Sequence, residues 1–324
     1  MARRPVAAAL CALTVAIAGI GIGAAGAAPA PSVDTITVVT EPATVDTPAD
    51  RLAFVNQRYR APMFAGAGST TLTYGTANDL ITGLPLSLRL DLYRPIGDVE
   101  TSRPLLVWVH GGGFAYGNRS DMSNEARAYA RLGYVTASIS YRLDVGNKCL
   151  QVQAGAFTGA ALVAERARCE RAILAARDDA AMAVAWLRAH AAQYGIDPTR
   201  VAIGGSSAGA ITAIHVGQTL NTPGNAPPAA SQVSAVLAMS GCNYIADSID
   251  SFDAPIAVAA SGGDPLVPFT CSQATVNTAA AAGTPVLRNF YELESSHAQT
   301  LYGAHQAELD RAWRAFLIEH LGLV

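Results

Sequence analysis

The stretch Val201-Ala202-Ile203-Gly204-Gly205-Ser206-Ser207-Ala208-Gly209-Ala210 decides the reading of this chain. An apolar run passes through Gly-x-Ser-x-Gly into an Ala-rich segment, so a strand, a tight turn and a helix are expected in that order. A serine on such a turn points its hydroxyl out of the fold, and its neighbours must be small because the turn leaves no room. The helix N-terminus behind it places partial positive charge beside any anion that develops there. Ser207 is therefore the candidate nucleophile. Taken alone the motif is weak in a chain with 29 glycines, where a serine between glycines is by default a turn. The rest of a hydrolytic site must also be present.

Upstream, Pro104-Leu105-Leu106-Val107-Trp108-Val109 is a continuous apolar run, suited to a strand covered on both faces of a parallel sheet. His110-Gly111-Gly112-Gly113-Phe114 follows it. Three glycines there let backbone N–H groups turn toward a ligand without obstruction. Acyl transfer makes an anion of the attacked carbonyl oxygen, which needs donors already in place. The N–H groups of Gly112, Gly113 and Ala208 are the candidates for that oxyanion hole.

Downstream, Ile256 to Ala260 reads as another buried strand, ending in Ser261-Gly262-Gly263-Asp264-Pro265-Leu266. A carboxylate just past a strand's carboxyl end lies on the edge where open α/β sheets keep their sites. Asp247, Asp250 and Asp253 also precede the last histidines, but in a polar stretch that reads as an exposed loop. Asp264 is preferred over them, and over Glu292 and Glu294. Val286 to Tyr291 is a final strand candidate, and His297 falls in the loop between it and a terminal helix. His305 lies within that helical pattern and is read as structural. The remaining histidines, His190, His215 and His320, show no metal-ligand spacing, so neither metal nor cofactor is called for.

With these motifs in hand, the chain resembles the α/β-hydrolase-fold carboxylesterases and lipases that carry an HGGGF-type oxyanion loop and a GxSAG elbow. The likeness runs from Leu86 to Val324, and Tyr141-Arg142-Leu143 and the Asp-Pro-Leu run at Asp264 belong to it. Many members follow the histidine with glycine; here Ala298 and Gln299 follow. The resemblance implies an α/β fold, a mostly parallel sheet with helices on both faces. It also implies a triad in the chain order Ser207, Asp264, His297, in which His297 is general base and acid and Asp264 orients it. The expected activity is hydrolysis of small or short-acyl carboxylic esters through an acyl-enzyme on Ser207. A lipase, polymer-ester depolymerase or amidase with the same triad, and a non-catalytic binding member of the fold, stay open as alternatives.

The N-terminus bounds the compartment. Met1-Ala2-Arg3-Arg4, an apolar Val6 to Ile22 and Ala25-Gly26-Ala27 make the pattern of a secretory signal over residues 1–27. Residues 28–50, rich in Pro, Thr and Ala, read as a poorly ordered leader, and 51–324 as one domain. Export leaves four cysteines, Cys149, Cys169, Cys242 and Cys271, an even number that suggests disulfides with three connectivities open. Cys149–Cys169 and Cys242–Cys271 are favoured. Removing the signal segment, with Arg3 and Arg4, takes the formal charge from −3 to −5. Lys148 is the sole lysine and no basic stripe exists, which argues against nucleic acid as a partner. The expected partner is a small ester, with no lasting membrane anchor; composition says nothing of oligomeric state.

An excursion at residues 144–170 exceeds what a simple connection needs, and its 151–158 portion is a candidate partial lid. His110, Phe114, Tyr116 and Phe157 are candidate pocket walls. Met182 and Trp186, in the helix before the elbow, are core candidates.

Overall fold

The computed structural model describes residues 57–220, 230–245 and 249–323. The expected signal and leader segments lie outside them.

Eight strands form one sheet in the order β1-β2-β4-β3-β5-β6-β7-β8. The first two, β1 (Ala67–Asn78) and β2 (Pro85–Pro95), alternate in the antiparallel manner, with Leu88, Leu90 and Leu92 turned inward. From there β4 (Val135–Ile139), β3 (Arg103–Val109), β5 (Ile196–Ser206), β6 (Ala235–Met239), β7 (Ile256–Ser261) and β8 (Val286–Tyr291) run parallel to one another. Every residue of β3, β4, β6 and β7 is buried, which explains their largely apolar sequences: both faces of the sheet are covered.

The strand period of two divides the core. Leu105, Val107 and Val109 pack with one helical layer, Leu106 and Trp108 with the other. The first layer holds α2 (Cys149–Gln153), α3 (Gly159–Ala189), α5 (Ala208–Gln218) and α6 (Phe269–Ala281). The second holds α1 (Ser123–Ala130), α7 (Gln299–Ala304) and α8 (Gln306–His320). In α8, Leu309, Trp313, Phe316 and Leu317 recur at helical spacing and form its buried stripe. The 31-residue α3 turns Ala172, Ala176, Ala180 and Ala183 inward, so helix and sheet approach closely. A single turn, α4 (Ala191–Tyr194), follows and is stopped by Gly195 at φ 67°.

The stretch 144–170 is divided between a loop with the short α2 and the opening turns of α3, which begins at Gly159. Trp186 is half-buried and stacks on His190 at 4.1 Å. Met182 does not enter the core as expected: it is 36% exposed and lies against β1 beside Gly75.

The strand order places the site. From β3 the chain steps to β4 on one side and then crosses back to β5 on the other, so the loops after β3 and β5 open side by side at the carboxyl edge.

Candidate active site

Ser207 alone makes the turn between β5 and α5. Its backbone has φ 55° and ψ −119°, a conformation that costs a non-glycine residue about 1–3 kcal/mol and is held only when its surroundings over-determine it. Those surroundings are close packed. A Cβ on Gly209 would lie 2.0 Å from the Val109 carbonyl oxygen, and one on Gly205 2.3 Å from the Gly209 carbonyl. The Ser207 N–H donates to the Met239 carbonyl at the end of β6 (2.8 Å).

Beside it runs the glycine loop. Gly112 has φ 108°, and a side chain there would meet the Tyr116 carbonyl oxygen at 2.0 Å. The Gly112 carbonyl is turned away, accepting from the N–H groups of Ala115 (2.9 Å) and Tyr116 (3.2 Å). Among the described residues, the N–H groups of Gly112, Gly113 and Ala208 find no acceptor. Asn147 Nδ2 donates to the Gly113 carbonyl at 3.1 Å and so braces the loop from the excursion.

His297 lies on the far side of Ser207. Its Nδ1 is 2.8 Å from both carboxylate oxygens of Asp264, whose side chain is only 1% exposed. Burial pushes the Asp264 carboxyl up, but the His297 hydrogen bond and those from the Val267 and Leu266 N–H groups outweigh it and hold the carboxyl below the usual value. With its Nδ1–H donating to the Asp264 carboxylate, the imidazole keeps the lone pair on Nε2. That nitrogen is buried and has no hydrogen-bond partner among the described residues. It and Ser207 line one cavity of about 340 Å³, although no hydrogen bond joins them; such bonds are often long in ligand-free enzymes.

The loop carrying His297 is pinned at both ends. Ser261 Oγ donates to the Ser296 carbonyl (2.5 Å), and the Ala298 N–H donates to Ser240 Oγ (2.9 Å). Gln299 Nε2 reaches the Asp121 carbonyl at 3.2 Å. These anchors are scattered serines and one glutamine, and no local pattern in the sequence marks them.

The other expected residues divide. Tyr116 lines the large cavity, and Phe114 lines a small second hollow beneath the glycine loop. His110 is not a wall as expected. It is fully buried beneath Gly117, donates from Nδ1 to the Gly111 carbonyl (2.7 Å), and stacks on Tyr141 at 4.3 Å; burial lowers its pKa. Phe157 is not a wall either: it lines neither hollow, and its ring lies under the Lys148 ammonium at 5.4 Å. His305 is paired with Glu294 at 2.6 Å and stacked on Tyr291. Arg142 of the Tyr-Arg-Leu run binds the buried Asp179 of α3, a partner the sequence reading did not identify. Both disulfides are formed in the favoured pairing, Cys149–Cys169 and Cys242–Cys271. The described residues contain no group of three side chains suited to a metal ion, and no helix long and apolar enough to cross a membrane.

A family model described as alpha/beta hydrolase fold matches residues 161–254, and a second, described as BD-FAE, matches residues 90–153. The apo form of Thermogutta terrifontis esterase 2 superposes with a TM-score of 0.59 at 17% identity, covering 79% of this chain and 96% of that one. The chain has the α/β-hydrolase fold. Among curated relatives, the chain is 30% identical to Lipase 2 of Geotrichum candidum over 129 residues, 40% of its own length and 21% of the lipase. It is 32% identical to Carboxylesterase 1C of Rattus norvegicus over 126 residues, 39% of its own length and 20% of that enzyme. The matched region thus spans about a fifth of each of these relatives.

Proposed function

We propose that this α/β-hydrolase is a serine carboxylesterase acting on small, short-acyl esters. The observation that carries the reading is the convergence on one cavity of three parts. These are a serine held at positive φ, an imidazole oriented by a buried carboxylate, and a loop of unengaged N–H groups. The lipases and esterases among its relatives support the same chemistry.

In this reading Ser207 Oγ attacks the ester carbonyl carbon and its proton passes to His297 Nε2. The oxyanion is held by the N–H groups of Gly112, Gly113 and Ala208. Collapse breaks the bond to the alcohol, whose oxygen takes the proton from His297. Water then enters by the same route and releases the carboxylic acid, returning Ser207 to its starting state. Asp264 stays ionised and supports the imidazolium. The two disulfides suit an oxidising compartment, in accord with export.

Replacing Ser207 with alanine tests the reading. Hydrolysis of 4-nitrophenyl acetate should fall by a factor on the order of 10³ or more. Hydrolysis unchanged in a folded Ser207→Ala protein would remove it.

A further inference from the structure

Two hollows meet at Ser207. The larger, about 340 Å³, contains His297, Tyr116 and Gln299. The smaller, about 10 Å³, is bounded by Phe114, Cys149, Leu150, Gln153, Ile211 and Val267, and touches Gly113 and Ala208 but not His297. Leu150 and Gly113 border both.

Resting on the esterase reading, the chemistry assigns these hollows. The leaving alcohol must receive its proton from His297 Nε2, so it occupies the side where His297 stands. The carbonyl oxygen lies among the N–H groups of Gly112, Gly113 and Ala208. The acyl substituent is left with the remaining direction, the small hollow behind Gly113 and Ala208. A space of about 10 Å³ admits roughly one water-sized group. That accommodates the methyl of an acetyl group, and each further methylene must displace a wall.

The walls differ in how firmly they are held. Phe114 is 1% exposed, and Ile211 and Val267 are each 2% exposed. Leu150 is half-buried and rides on α2, five residues long and far too short to hold its shape unaided. What holds it is the Cys149–Cys169 bridge to α3, together with Asn147, whose Oδ1 accepts from the Cys149 N–H at 2.9 Å.

We infer that Leu150 is the residue that limits acyl length, and that the Cys149–Cys169 disulfide sets this limit by fixing the helix that carries it. The excursion therefore selects substrates as a tethered wall beside the nucleophile.

The test is the acyl-length profile of kcat/KM on 4-nitrophenyl acetate, propionate, butyrate and hexanoate. It is measured for the full chain, for Leu150→Ala and for the double variant Cys149→Ser/Cys169→Ser, with Ser207→Ala as reference. The wild type should prefer acetate over butyrate by about tenfold or more, since one methylene in a tight pocket is worth that much. Leu150→Ala should raise the ratio of butyrate to acetate kcat/KM at least about tenfold. The cysteine variant should move the profile the same way. Ser207-dependent hydrolysis with the same length profile in wild type and Leu150→Ala would overturn the inference alone. Hydrolysis that survives Ser207→Ala, or none at all in the folded wild type, would instead overturn the esterase reading and this inference with it. A Leu150 effect with no shift in the cysteine variant would overturn the role given to the bridge.

Discussion

Ser240 Oγ accepts the N–H of Ala298 at 2.9 Å and so fixes the backbone immediately beyond the candidate general base. Ser240 follows β6, and it is fully buried at φ 53°. The matching contact, Ser261 Oγ to the Ser296 carbonyl, fixes the residue before His297. Two strand ends thus hold one imidazole from both sides. Removing either hydroxyl strands a backbone group at a cost of about 1–3 kcal/mol. Where that loss appears as a displaced imidazole, kcat in Ser240→Ala or Ser261→Ala should fall roughly tenfold with KM within about twofold. Steady-state kinetics beside thermal melts decide: a lowered Tm with unchanged kcat would make the contacts merely structural.

Ala298 has φ 48° and ψ −113°, nearly the backbone of Ser207. Many members of the family that the chain resembles place glycine after the histidine, and this conformation gives the reason. Ala298→Gly loses a buried methyl, worth about 0.8 kcal/mol, but relieves strain of about 1–3 kcal/mol. It should therefore leave Tm unchanged or raised and activity intact. Ala298→Val, β-branched at positive φ, should lower stability by more than about 2 kcal/mol. Equal melting temperatures for the two variants would refute the strain.

Acid sensitivity follows from His215 on α5, fully buried between sheet and α3. Burial lowers its pKa to about 3, and its Nε2 has no partner among the described residues. The unfolded chain takes up this proton near pH 6.5 and the native protein does not. The stability contribution is therefore complete above about pH 6.5 and is lost as pH falls toward the folded value, by at most about 1.4 kcal/mol per pH unit. His215→Leu should flatten the pH dependence of the urea midpoint over that interval. Parallel wild-type and variant curves would contradict this assignment.

Much of the fold was legible because its central strands are covered on both faces and read as unbroken apolar runs, β3 and β7 above all. The elbow was legible because a serine at positive φ between two close-packed segments requires small residues at 205 and 209, and glycine is visible in a sequence. Asp264 and His297 could be named from their place after β7 and β8. Leu150 could not be, since nothing local distinguishes a leucine facing the nucleophile from any other. Phe157 and Met182 were misplaced for the same reason. An aromatic in a loop and a methionine in a helix take their direction from what packs against them, here Lys148 and β1, which are tertiary facts.

The most direct measurement is covalent labelling. The full chain and Asp264→Asn are treated with diethyl 4-nitrophenyl phosphate, and the modified peptide is located by mass spectrometry. One diethylphosphoryl group is expected, on Ser207, formed at least about a hundredfold more slowly in Asp264→Asn because the imidazole then loses its tautomer and orientation. Labelling on another residue, or labelling of Ser207 at the same rate without the Asp264 carboxylate, would contradict it.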